Sequence, residues 1–303
     1  MIVHLIDGTY ELFRHFYGLR RFNKGKDRPM GAVLGVLNGL LQMIEEGASH
    51  LGVATDHVIE SFRNDLWDGY KTGEGIEPAL RAQFQPLEDA LVGMGVTVWP
   101  MVELEADDAL ASAAALAAKD RRVQKVCIWT PDKDLAQCVR GDRIVQVDRK
   151  SHVIRDAEGV YAKFGVIPER IPDYLALVGD ASDGYPGITG IGAKGAASLI
   201  DRFGRIEDFP PEILGENKSL ALLFKRLATL RDDAALFSDV DSLEWHGPGK
   251  GIAAMAATLG DPRLLERAEK AFHSPKESES RSPTAIALKT KSSKTAKQSQ
   301  KGA

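Results

Sequence analysis

Cysteine is nearly missing from this chain, with Cys127 and Cys138 the only two in 303 residues. Two thiols without zinc-site spacing exclude a disulfide framework or a cysteine-built metal site, and they suit a reducing, cytoplasmic setting. Long hydrophobic runs are missing as well. The most apolar window, ALASAAALAA (109–118), is short, alanine-rich and flanked by Asp107, Asp108 and Lys119, so it reads as a soluble helix and not a membrane span. The opening MIVHLID is too short for a signal peptide and meets an acid at Asp7, which predicts a buried strand. No internal repeat is present. Excess positive charge is also lacking: the net charge is −4, which by itself disfavours a nucleic-acid partner.

The distribution of charge changes that reading. Residues 274–303 hold seven cations (Lys276, Arg281, Lys289, Lys291, Lys294, Lys297, Lys301) against Glu277 and Glu279, a net +5 that leaves −9 on the remaining residues. Nine acids gathered on metal ions would make the rest of the body neutral and free to carry basic patches. What is present in quantity is apolar residue, 44% of the chain, enough for a sizeable core.

Runs rich in β-branched residues, 2–6, 51–55, 96–100, 126–130 and 144–147, predict strands. The stretches 32–46, 81–94 and 107–120 between them predict helices, and this alternation argues for a mainly parallel α/β sheet. Ligands collect beyond the carboxyl ends of such strands. Asp7 ends the first strand, Asp56 the second, and Asp132 with Asp134 follow the fourth. From Val166 the pattern turns helical, with 168–179 and 196–204 as helices around a glycine-punctuated turn (184–195), and 220–237 as a further helix. The Ser, Lys, Thr and Gln of 274–303 predict a disordered basic tail, either a salt-sensitive grip on DNA or a solubilising segment.

Two further sets of acids join those at the strand ends: Glu105, Asp107 and Asp108, and the pair Asp180 and Asp183. Members three apart share a helix face. If these groups converge, their mutual repulsion calls for divalent cations, and hard oxygen donors suit Mg²⁺ or Mn²⁺. Acids at strand ends also cap helices or stand in solvent, and spacing alone does not bring all nine together.

The segments 103–119, 130–139 and 177–200, with the opening 5–18, resemble the bacterial and phage 5′-nucleases, including the amino-terminal domain of DNA polymerase I and the flap endonucleases. The likeness runs in consistent order to about Trp245. It implies a PIN-like nuclease domain (1–165) with a mainly parallel sheet flanked by helices and a helical arch over about 61–84. It also implies a helix-3-turn-helix DNA-binding subdomain (166–245), followed by a helical extension (246–273) and the tail.

By that resemblance Asp7, Asp56, Glu105, Asp107, Asp132 and Asp134 hold one ion, and Asp108, Asp180 and Asp183 the second. Lys71 matches the family lysine that steadies the scissile phosphate. Arg63 and Arg81 are expected to contact phosphate, and Tyr70 or Trp67 to stack a base. Gly190, Gly192 and Lys194 belong to the turn that grips duplex backbone and carries K⁺ in the family. Three positions depart from the pattern: Glu74 in place of an arginine, Gly184 in place of an asparagine, and Pro131 where many relatives have glycine.

The implied activity is two-metal cleavage of DNA at 5′ ends, flaps or nicks, RNA primers included, in primer removal or repair. It is expected of a stand-alone, monomeric, nucleoid-associated enzyme with no membrane partner. The alternatives are a junction-binding protein of the same fold, weak or inactive in catalysis, and a PIN-type ribonuclease; the glycine-rich turn and the Asp180–Asp183 pair disfavour the ribonuclease.

Overall fold

A computed structural model describes residues 1–23, 28–151 and 153–273. The basic tail at 274–303 lies outside the described residues. Six strands form one sheet: β1 Ile2–Asp7, β2 His50–Asp56, β3 Thr97–Met101, β4 Lys125–Trp129, β5 Ile144–Asp148 and β6 Val153–Arg155. Their order is β3-β2-β1-β4-β5-β6, parallel throughout except for the antiparallel edge strand β6. The chain leaves β1 toward β2 on one side and later returns to add β4 on the other. The switch between β1 and β4 opens a crevice at the carboxyl ends, where Asp7 and the loop after β4 meet.

Twelve helices accompany the sheet among the described residues. They are α1 Gly8–Asn23, α2 Gly31–Glu45, α3 Pro78–Arg81, α4 Phe84–Gly93, α5 Ala106–Lys119, α6 Ala157–Phe164, α7 Ile171–Val178, α8 Ala193–Phe203, α9 Pro211–Leu214, α10 Lys218–Ala228, α11 Ile252–Thr258 and α12 Arg263–His273. The central strands are apolar on both faces because both are covered. On one face α1, α2, α4, α11 and α12 bury Leu12, Leu37, Leu41, Leu91 and Leu264; on the other, α5 lays its alanines against Val3, Leu5 and Ile128. Small alanine side chains let α5 lie close to the sheet, which sets the acids at its amino end directly over the crevice.

Gly8 makes the turn from β1 into α1 possible. A Cβ there would lie 2.7 Å from Val53 Cγ1 and 2.9 Å from the Ala54 carbonyl. Helices α6 to α10 build a separate core around Leu175, Ile200 and Phe224, joined to the sheet domain through Tyr70.

Three expectations are revised. The segment 61–84 is not a helical arch. Its one helix is the four-residue α3, and Gly69, Gly73, Gly75 and Pro78 break the rest into turns. Glu60 accepts from the Gly73 N–H at 2.8 Å and Asn64 donates to the Lys71 carbonyl at 3.0 Å, so the segment closes on itself. The helix expected over 220–237 stops at Ala228. The chain then runs extended across α5, where Ser112 Oγ accepts from Ala234 N–H and Phe237 stacks on Trp99. Strand β6 and helix α6 lie where no element was expected; β6 is three residues on an open edge, too short to show a period.

A candidate metal centre at the sheet switch

The acids arrive from four directions. Asp7 closes β1, with its carboxylate accepting from the Tyr10 N–H (2.8 Å) and the Thr130 hydroxyl (3.1 Å). Asp56 closes β2 and accepts from the Ala106 N–H at 2.8 Å, which ties it to the start of α5. Asp107 projects from the first turn of α5, and Asp132 stands exposed on the loop after β4. These four face one another across the crevice. Burial raises Asp7 to about 7, opposed by the Tyr10 N–H and reinforced by Asp56 and Asp132. Burial, then Asp132 and Asp7, push Asp107 well above the ordinary carboxylate range.

The second grouping spans the two cores. Asp134, Asp180 and Asp183, all buried, offer oxygens within 4.8 Å of one another. Asp134 Oδ1 and the Tyr185 hydroxyl are buried polar atoms without a hydrogen-bond partner. Burial together with Asp132, Asp183 and Asp180 raises Asp134 strongly. Two lysines offset this charge. Lys71 Nζ lies 2.6 Å from Glu105 and 3.0 Å from Asp183, and Lys133 Nζ lies 2.6 Å from Asp180.

An all-carboxylate donor set, a buried oxygen with no partner and acids driven toward protonation fit hard divalent cations. Asp7, Asp56, Asp107 and Asp132 share one electrostatic neighbourhood that could take one ion, while Asp134, Asp180 and Asp183 bring their oxygens close enough that they could hold another. Asp134, expected in the first set, groups with the second.

Asp108 is corrected more sharply. It is fully buried, and both its oxygens are taken by Arg63 (2.7 and 2.8 Å), the Glu105 N–H and the Arg231 N–H. With Glu105 it forms the capping box of α5, so its spacing from Glu105 serves the helix end and not a metal. Arg63 is corrected with it: at 1% exposure and bound to Glu105, Asp108 and two carbonyls, it cannot reach DNA.

Tyr70 is packed in the helical core with its hydroxyl directed at Glu105 (3.3 Å), and Trp67 lies edge-on to Phe224 with its N–H on the Gly184 carbonyl, so neither is free to stack a base. Arg81, Gly190, Gly192 and Lys194 are exposed. Glu105 has its oxygens engaged by Ser61, Arg63, Tyr70 and Lys71. Burial alone would raise its pKa, but Lys71 and Arg63 hold it below the usual value.

Gly184, one of the departures, has a reason. Its φ is +83°, and a Cβ there would stand 2.0 Å from the Gly69 carbonyl. This close approach lets Lys71 N–H donate to the Asp183 carbonyl and brings the lysine to the acids. Sequence reading missed Lys133, although its place between two site acids was a usable signal. It also missed Thr130, Gln137 and Tyr185, which carry no local pattern.

The raised acids predict how metal-free protein responds to pH. A group whose folded pKa exceeds its unfolded value stabilises fully below the unfolded pKa, and that contribution is lost as pH rises through the folded one. For Asp7 this window runs from 3.8 to about 7, and Asp107 and Asp134 act in the same direction. Glu105 acts oppositely below 4.5, and the buried His4 and His15, lowered from 6.5 to about 4, act oppositely up to 6.5, so only the range above 6.5 isolates the raised groups. In chelator, the melting temperature should fall from about pH 6.5 to about pH 8 and recover on adding Mg²⁺ or Mn²⁺. A melting temperature that is flat across that range, or unmoved by metal, counts against a convergent acid site.

The family model for the 5′-3′ exonuclease amino-terminal resolvase-like domain matches residues 2–165, and that for the 5′-3′ exonuclease carboxyl-terminal SAM fold matches 166–250. DNA polymerase I of Pseudomonas aeruginosa is 35% identical over 260 residues, covering 79% of this chain but 28% of the polymerase. A 5′-3′ exonuclease of Buchnera aphidicola is 33% identical over 248 residues, covering 76% of this chain and 81% of that protein. Among solved structures, T5 5′-exonuclease with zinc bound superposes with a TM-score of 0.58 at 20% identity, covering 90% of this chain and 98% of that one. The catalytic core of Rad2 with DNA substrate gives 0.55 at 16% identity, covering 88% and 91%. At those identities the structural likeness carries the fold alone.

Proposed function

The chain belongs to the 5′-3′ exonuclease family, and from that membership and the geometry of its acids we propose that it is a metal-dependent 5′-3′ exonuclease and structure-specific 5′-flap endonuclease, hydrolysing DNA phosphodiester bonds. The observation that carries the reading is the partnerless Asp134 oxygen held with Asp180 and Asp183, which a bound cation would satisfy without any protein donor. Bound Mg²⁺ or Mn²⁺ would supply water of lowered pKa and countercharge for the attacking and leaving oxygens.

The chain's own residues do the remainder. Lys71, partly exposed and kept protonated by Glu105 and Asp183 against the effect of burial, presents an ammonium to the scissile phosphate. The turn before α8 offers Gly190, Gly192 and Lys194 to the backbone of the duplex, a contact that positions DNA without reading its sequence. K⁺ at 187–197 is part of this proposal, as are nicks and RNA primers among the substrates. The domain boundaries at 165, 245 and 273 are likewise proposed. No helix among the described residues is long and apolar enough to cross a membrane.

The test is cleavage of a 5′-labelled flap duplex in Mg²⁺, with blunt duplex and single strand beside it, comparing the wild type with Asp132→Ala. Cutting near the flap junction by the wild type, lost in the variant, is expected. A wild type that binds the flap and cuts nothing in either metal would leave a junction-binding protein of the same fold.

A further inference from the structure

The second metal grouping takes Asp134 from the sheet domain and Asp180 and Asp183 from the helical subdomain, so both the metal geometry and the cutting position depend on how the two units are held together. Arg63 spans that boundary. Its five N–H groups are all used: Nη1 and Nη2 on Glu105 and Asp108 at the amino end of α5, Nε on the Leu227 carbonyl at 2.8 Å, and Nη2 on the Thr229 carbonyl at 3.2 Å. Leu227 and Thr229 belong to the end of α10, where helix carbonyls lack partners and a cation is favoured.

Gln137 makes the parallel connection. Its Nε2 donates to the Asp134 and Ala228 carbonyls, both at 2.9 Å, and its Oε1 accepts from the Leu230 N–H at 3.1 Å. Helix α10 shares one core with α7, which leads into Asp180, Asp183 and the glycine turn before α8. The end of α10 is thus fastened from one side by a residue that also holds Glu105, and from the other by one that also holds the Asp134 turn. Neither fastening group faces DNA: Arg63 is fully enclosed and Gln137 has all its polar atoms occupied within the protein.

We propose that Arg63 and Gln137 are positioning residues which fix the distance between the duplex-gripping turn and the metal centre, and so choose which phosphodiester is cut. This rests on the nuclease reading above. Lys71–Asp183 and Lys133–Asp180 also cross the boundary, but they end on site acids whose partners change when metal binds. The α10 joint ends on backbone carbonyls, which do not titrate and take no part in the chemistry.

The test maps product ends at single-nucleotide resolution on one labelled flap duplex, under single-turnover conditions in saturating Mg²⁺. Gln137→Leu removes three hydrogen bonds while leaving no buried charge, and Arg63→Lys keeps the charge but cannot reproduce five bonds. Cleavage at the wild-type position should fall about tenfold or more in each, because small misplacements of a reacting group are costly. Products should also appear at neighbouring phosphodiesters. Lys194→Ala is the contrast: weaker binding with the cut unmoved.

Slower cutting at an unmoved position in the joint variants would overturn the proposal, since a merely structural role lowers the amount of active enzyme without moving the cut. Should Arg63→Lys fail to fold, Gln137→Leu carries the same test alone. A wild type that cuts nothing defeats the nuclease reading and the proposal together, whereas an active wild type with unmoved cuts in the variants defeats the proposal only.

Discussion

Asp134→Asn should lose cleavage by at least about a hundredfold and yet melt at a higher temperature than the wild type in chelator. The activity loss follows from removing a ligand charge at the centre of the second grouping. The stability gain follows from the same geometry. In metal-free protein Asp134 is buried with one oxygen unpartnered, and Asp180 and Asp183 bring further negative charge within 4.8 Å. Asparagine keeps the shape and removes the repulsion. A gain on the order of 1 kcal/mol would shift the midpoint by about 2–4 °C in a chain of this size. Divalent metal should then stabilise the wild type strongly and the variant weakly, reversing their order. Calorimetric melts of both proteins, with chelator and with Mg²⁺, check all of this. If the variant melts lower in chelator, Asp134 is a structural acid and the second grouping is not a metal site.

The strands were legible because a parallel sheet covered on both faces demands unbroken apolar, β-branched runs, and those are visible without a partner in view. The acids at the strand ends were legible for a related reason: parallel topology dictates which ends face the ligand. What could not be read was the choice among partners. Glu105 and Asp108 stand three apart, a spacing that suits a shared metal face and a capping box equally; only the position of Arg63 decides between them. Arg63 in turn lies in a glycine- and aromatic-rich segment, which made it look like a surface cation. Its true partners lie 42, 45, 164 and 166 residues further along the chain, with no periodicity to connect them. The arch failed for a local reason that propensity could have flagged, since three glycines and a proline in ten residues do not sustain a helix. Gly184 was legible only as a departure. That it admits the Gly69 carbonyl depends on two segments over a hundred residues apart.

Lys71→Met should lower the single-turnover rate by about 10²–10³-fold while leaving flap affinity within about threefold, because a preplaced cation matters most where charge develops. The free protein shows why this lysine is ready in advance. Its backbone N–H is fixed on the Asp183 carbonyl, and its ammonium lies between Glu105 and Asp183, so little reorganisation is needed when a phosphate arrives. The same position makes Lys71 a competitor of metal, since its charge already offsets acids that a cation would neutralise. The methionine variant should therefore be less stable than the wild type in chelator, bind Mg²⁺ at lower concentration, and still cut slowly when saturated. Those three results separate two roles that an activity assay alone would merge. If saturating Mg²⁺ restores the full rate, Lys71 only adjusts metal binding. If the rate stays low with the metal site filled, the ammonium acts on the phosphate itself. The second result is expected, because Glu105 keeps Arg63 and Ser61 as partners after Lys71 is gone and so holds its place without it.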